Sequence, residues 1–126
     1  MSLAYVDTSV LVAIALGEPG ADDVARELAT FRRIAASPLL DAELRSAMRR
    51  EGRTLVESIV EQVTWVLPQR ELTPEIRRVF DVGYLRGADC LHLASALYIA
   101  TDPAATTFLT LDSRQRTVAK ALGFKA

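Results

Sequence analysis

One stretch sets the terms for this chain: Leu3-Ala4-Tyr5-Val6-Asp7-Thr8-Ser9-Val10-Leu11, an apolar run that ends on an acid, two hydroxyl residues, then a second apolar run. It reads as a buried strand over residues 3–7, a carboxylate at the strand's exit, and a buried helix over 9–16 with Thr8 or Ser9 as its cap. A carboxylate in that position is costly to bury without a partner. The pattern returns near the other end, in Phe108-Leu109-Thr110-Leu111-Asp112-Ser113. Between these two points the apolar spacing alternates between strand and helix. Helices are expected over 21–31, 38–51, 54–62, from 73 to a close at Arg86-Gly87, over 88–100 and over 113–122. Strands are expected over 34–37, 63–67 and 108–112, with a stub after Gly123. Ser37-Pro38 and Thr73-Pro74 look like cap and first helical residue. On the 73-to-86 helix, Ile76, Val79, Phe80 and Gly83 are expected to face inward.

Strands alternating with helices define an α/β domain with a mostly parallel sheet, whose ligands bind beyond the carboxyl ends of the strands. The 126 residues suffice for one domain with a real core, with no internal repeat or linker to divide them. Half the residues are hydrophobic and a quarter charged, which excludes disorder, and a net charge of −1 argues against a broad basic face. No apolar run approaches the ~20 residues of a membrane span, and no signal peptide is expected. Cys90 is the one cysteine, so zinc clusters and internal disulfides are excluded and a cytoplasmic setting is expected.

Four acids sit in apolar surroundings: Asp7, Glu43, Asp89 and Asp112. Asp7 and Asp112 could each cap the helix that follows, and Asp89 could complement a helix dipole. Glu43 is harder to explain, because it falls mid-helix between Leu39 and Ala47 on the apolar side. If the four converge, like charges ~4 Å apart repel by roughly 4 kcal/mol per pair at an effective dielectric near 20. A hard divalent cation removes that conflict. An oxygen-only set favours Mg²⁺ or Mn²⁺, which position a phosphodiester and activate water. His92, one turn past Asp89, reads first as a satisfied core histidine. Thirteen of the 15 basic residues are arginines, suited to bidentate phosphate contacts. Arg45, Arg49, Arg86 and Arg114 are the candidates for holding a nucleic-acid backbone.

On Val6-Asp7-Thr8-Ser9, Glu43-Leu44, Arg86-Gly87-Ala88-Asp89-Cys90-Leu91-His92-Leu93-Ala94 and Leu109-Thr110-Leu111-Asp112, the chain resembles PIN-domain ribonucleases, specifically the VapC-type toxins of toxin–antitoxin pairs. The likeness runs through the whole chain in order and spacing, and the Asp89 segment is its most specific part. It implies a three-layer, Rossmann-like PIN fold with a central, mostly parallel sheet of four to five strands, the first and fourth side by side. It implies that Asp7, Glu43, Asp89 and Asp112 bind Mg²⁺ or Mn²⁺ and support RNA cleavage, with Ser9 supporting the site. It also implies a cognate antitoxin, which commonly pushes a basic side chain among the carboxylates, and a homodimer. Where some members carry a further Asp or Asn, this chain has Gln115 and Arg116, so one ion is expected and a second is in doubt. A phospho-acceptor receiver module also gathers acids at strand ends, but it needs a late-strand lysine. Lys120 and Lys125 lie in and after the last helix. The remaining alternative is a PIN-fold module that binds RNA or protein without cutting. The residues between 21 and 63 are expected to offer apolar helix surface to an antitoxin.

Overall fold

The computed structural model describes residues 2–126. Its elements are β1 (Leu3–Val6), α1 (Thr8–Leu16), α2 (Ala21–Leu28), β2 (Arg33–Ala36), α3 (Pro38–Arg50), α4 (Ser58–Glu61), β3 (Val63–Trp65), α5 (Thr73–Val82), α6 (Gly87–Ile99), β4 (Thr106–Leu109) and α7 (Ser113–Ala121). A 3₁₀ turn at Pro103–Ala105 separates α6 from β4. The four strands form one sheet in the order β3-β2-β1-β4, and every pairing is parallel. This is the expected α/β architecture with β1 beside β4. The anticipated terminal stub is a single parallel bridge from Lys125 to Thr107.

Side chains on a strand alternate between faces, and here the alternation builds two cores. Tyr5 and Phe108, paired in register, stack at 5.5 Å and pack with Val79, Leu93, Leu97 and Val118 from α5, α6 and α7. Their neighbours Val6 and Leu109 face the other way, onto Val10, Leu11, Leu40 and Leu44 of α1 and α3. The result is three layers, helix on sheet on helix. The apolar positions of residues 21–63 go largely into this second core, including Val24, Leu28, Leu40, Leu44, Val60 and Val63. They are therefore not the exposed docking surface expected from their composition.

Several expected bounds shift for local reasons. The helix expected over 54–62 shrinks to one turn. Gly52, at φ 65°, ends α3 with the Arg53 N–H bonded to the Met48 carbonyl at 2.9 Å, the hydrogen bond of a Schellman stop. Residues 53–56 then run without helix to α4. Likewise α5 stops at Val82 rather than continuing to Arg86, and Arg86 is the N-cap residue of α6. Phe80, expected to face inward, faces solvent at 48% exposure, while Val79 is fully buried. Thr73 lies inside α5, and the residue at its cap is Leu72. The strand expected over 108–112 ends at Leu109, which moves Asp112 away from the strand exit.

Candidate active site

The chain runs β1 to β2 to β3 in one direction across the sheet, then returns to place β4 on the far side of β1. The crevice beyond the carboxyl ends of β1 and β4 is therefore the topological switch point, where ligands of open parallel sheets bind. Asp7 stands there. It caps α1, with Oδ2 accepting from the Ser9 N–H at 3.2 Å, and it is 4% exposed. The capping and site readings of this acid are thus compatible. Its own N–H bonds the Leu109 carbonyl at 3.0 Å, so the residue beside it, just past the end of β4, is Thr110, not Asp112 as the repeated strand-Asp pattern suggested.

Asp112 instead caps α7, its Oδ1 accepting from the Gln115 N–H at 2.8 Å. It shares an open groove of about 340 Å³ with Tyr84, Leu85, Arg86, Asp89 and Arg114. Two of the four arginines expected to meet RNA, Arg86 and Arg114, thus border two of the four acids. Arg45 is held elsewhere by Asp41 at 2.9 Å and by both oxygens of Glu57 at 2.8 and 3.0 Å. Arg49 lies exposed near the end of α3.

Asp89, in the first turn of α6, has a carboxyl pushed above the ordinary aspartate range. Burial contributes most, and the Asp7 charge adds to it. Arg86, 3.8 Å away, pulls in the opposite direction, and Asp112 raises it further. Asp7 and Asp112 therefore both stand within electrostatic reach of Asp89.

Glu43 reaches the site from α3. Its Oε1 accepts from the Thr8 hydroxyl at 2.7 Å and lies 2.8 Å from His92 Nε2. The same nitrogen is 3.7 Å from Asp7 Oδ1, so the two carboxylates converge on one imidazole. The side chain is 37% exposed, and two donors satisfy its inner oxygen. Burial of Glu43 therefore does not by itself demand a cation.

Among the described residues, no group of three or more Asp, Glu, His or Cys side chains is arranged to hold a metal ion. Asp7, Glu43 and Asp112 each give at least one oxygen to protein donors, and Asp89 leans toward Arg86. The chemistry of the donor set still fits a hard divalent cation: four carboxylates, with the Asp89 carboxyl destabilised by two acidic neighbours.

Sequence reasoning passed over Gln115, treating it only as a missing acid. It is fully buried. Its Oε1 accepts from the Thr110 hydroxyl at 2.7 Å, which turns Nε2 toward Asp7 Oδ1 at 3.3 Å and the Asp89 carbonyl at 3.2 Å. One amide thus links β1, α6 and α7. The signal was present, since Gln115, Val118, Ala119 and Leu122 fall at helical spacing on one face. Ser9, expected to support the site, lies beside Asp7: its hydroxyl accepts from the Leu111 N–H at 3.0 Å and lies 3.4 Å from the Thr110 hydroxyl.

A parallel sheet with acids gathered at its switch point defines a class, and residues 4–121 match the PIN domain. The chain belongs to the PIN-domain family. Within it the chain is of the VapC type: it is 32% identical to Ribonuclease VapC46 of Mycobacterium tuberculosis (strain ATCC 25618 / H37Rv) over 98% of its own length and 95% of that protein's. No solved structure matches it significantly.

Proposed function

We propose that this chain is a divalent-metal-dependent endoribonuclease, the toxin of a toxin–antitoxin pair. The observation that carries the reading is that Asp7 and Glu43 converge on His92 at the switch point of β1 and β4, while Asp89 and Asp112 line a groove with Arg86 and Arg114. The ribonuclease name of its relative supports the reaction type. Asp7, Asp89 and Asp112 would hold one Mg²⁺ or Mn²⁺ ion, with Glu43 completing the set. A cation bound there supplies positive charge at the scissile phosphate and lowers the pKa of water.

The chain's own residues prepare the rest. Ser9 and Gln115 fix the Asp7 carboxylate from both sides. Glu43 keeps one oxygen on Thr8 and His92 and has the other to orient water or take a proton. Arg86 and Arg114 supply guanidinium groups for backbone phosphates. An antitoxin inserting a basic side chain among these acids would satisfy the same negative charge and block the groove. The exposed Val82 and Tyr84, beside Arg114, offer apolar surface at its border for a partner protein or a second copy.

The test is cleavage of a structured RNA in Mn²⁺ and in Mg²⁺. Asp7→Asn and Asp89→Asn are each expected to lose at least ~100-fold in rate, the range over which positioned acid–base and metal-holding groups act, while circular dichroism stays native. Excess chelator is expected to abolish cleavage. Undiminished activity in either variant, or in chelator, would overturn the reading. RNA binding with no cleavage by the wild-type chain would identify a non-catalytic PIN module instead.

A further inference from the structure

His92 is the chain's one histidine, it is 1% exposed, and the proposed reaction assigns it no step. A buried histidine this close to two acids needs an account. Carboxylates at neutral pH only accept hydrogen bonds, so the 2.8 Å contact from His92 Nε2 to Glu43 Oε1 requires the proton on Nε2. The other side of the ring agrees. Nδ1 lies 3.4 Å from the Tyr5 hydroxyl, and that hydroxyl already accepts from the Ser37 N–H at 2.8 Å. Burial raises the Tyr5 pKa, so the phenol keeps its proton and can give it to Nδ1. Ser37 is held in turn as the cap of α3, the helix that carries Glu43. The Thr8 hydroxyl, 3.1 Å from Nε2, donates to the same Oε1. Both hydrogen bonds that Glu43 receives among the described residues fall on that one oxygen, which leaves Oε2 for the reacting groups.

We infer that His92 is a positioning residue of the active site: locked with its proton on Nε2 by Tyr5, it holds Glu43 by Oε1 and aims Oε2 at the metal and water. The inference rests on the nuclease reading, which supplies the role of Glu43. Partners that orient metal-ligating groups typically carry 10–100-fold in metal affinity or activity.

Because there is one histidine, a long-range ¹H–¹⁵N spectrum of the wild-type chain reports its tautomer without assignment, whatever the protein's activity. The expected pattern is protonated Nε2 and unprotonated Nδ1, changing in Glu43→Gln. Mn²⁺ titration followed by calorimetry is expected to show binding weakened by about 10-fold in His92→Asn, whose amide falls short of Glu43. Cleavage by that variant is expected to lose kcat with KM for RNA little changed. His92→Gln, whose amide nitrogen can stand where Nε2 stands, is expected to recover most of both losses. An Nδ1–H tautomer, or a folded His92→Asn that binds Mn²⁺ and cleaves like the wild type, would overturn the inference. A wild-type chain with the Nε2–H tautomer but no metal-dependent cleavage would overturn the nuclease reading while leaving the hydrogen bond to Glu43 established, so the two failures are distinct.

Discussion

Asp89 illustrates what a partly buried acid beside other acids costs a fold. Its carboxyl is raised above 3.8, first by burial and then by the Asp7 charge. A raised acid binds its proton more tightly folded than unfolded. Ionising it therefore works against the native state at every pH above its folded value, and the penalty fades as pH falls. Metal-free Asp89→Asn is accordingly expected to melt at a higher temperature than the wild type at pH 7. The gap should narrow on acidification and close below pH 3.8; differential scanning calorimetry across that range, in chelator, measures it. Added Mn²⁺ should reverse the order, because a ligand of the native state stabilises the form that binds it. An Asn variant no more stable than the wild type in chelator would mean that Asp89 is not strained by its neighbours. At this scale the acids were legible in the sequence because a charge interrupts an apolar pattern. Ser9 aside, the polar residues bonded to them were not. Gln115 is uncharged, and although its helical spacing with Val118, Ala119 and Leu122 marks it as inward, its role exists only once β1, α6 and α7 have met. His92 was legible as buried, but its bond to Glu43 joins residues 49 apart in the chain.

Elements meet closely where α5 ends against α7. Gly83 closes α5 with φ −178°, ordinary extended backbone, so its lack of a side chain matters for space and not for torsion. A Cβ built there would stand 2.9 Å from Val118 Cγ2, and Val118 is buried in the core under the sheet. Gly83→Ala is expected to destabilise the fold by about 1–3 kcal/mol through overpacking. Val118→Ala should cost a comparable amount through the void it leaves. Because each change relieves the other, the double variant should lose measurably less than the sum of the two, a coupling that urea denaturation can resolve. Strict additivity would show that the two helices do not press on each other at this point. The helices themselves were largely foreseeable from their apolar spacing, and α1, α3 and α6 begin and end close to expectation. The misplaced boundaries share a cause. The start of α4 and the stop of α5 are set by where the chain must turn to reach its next partner, which periodicity does not encode. The strand before Asp112 shortened for a related reason. Thr110 leaves the ladder to serve Asp7 and Gln115 with its hydroxyl, so the acid moved onto the cap of α7.

At the scale of the molecule the sheet order and the charge distribution act together. The return of the chain past β1 gathers acids at one crevice, and a net charge of −1 leaves little general attraction for a polyanion. Binding of RNA to this chain must then come from a few local cations, and its salt dependence counts them. If Arg86 and Arg114 make the contacts, two phosphates are neutralised. The slope of log K against log salt for a single strand is then about −1.4, so a tenfold rise in salt weakens binding ~25-fold. Fluorescence anisotropy with a short single-stranded RNA and the Asp7→Asn chain, chosen to prevent cleavage, gives the slope directly. Replacing Arg86 or Arg114 by alanine should each flatten it by about 0.7. Arg45, already engaged by Asp41 and Glu57, should change it far less. A slope steeper than about −3, equivalent to more than four phosphate contacts, would instead require a wider basic surface. The groove of Asp89 and Asp112 would then not be the main track of the RNA, and Arg49 and the arginines of α5 would be the next to test.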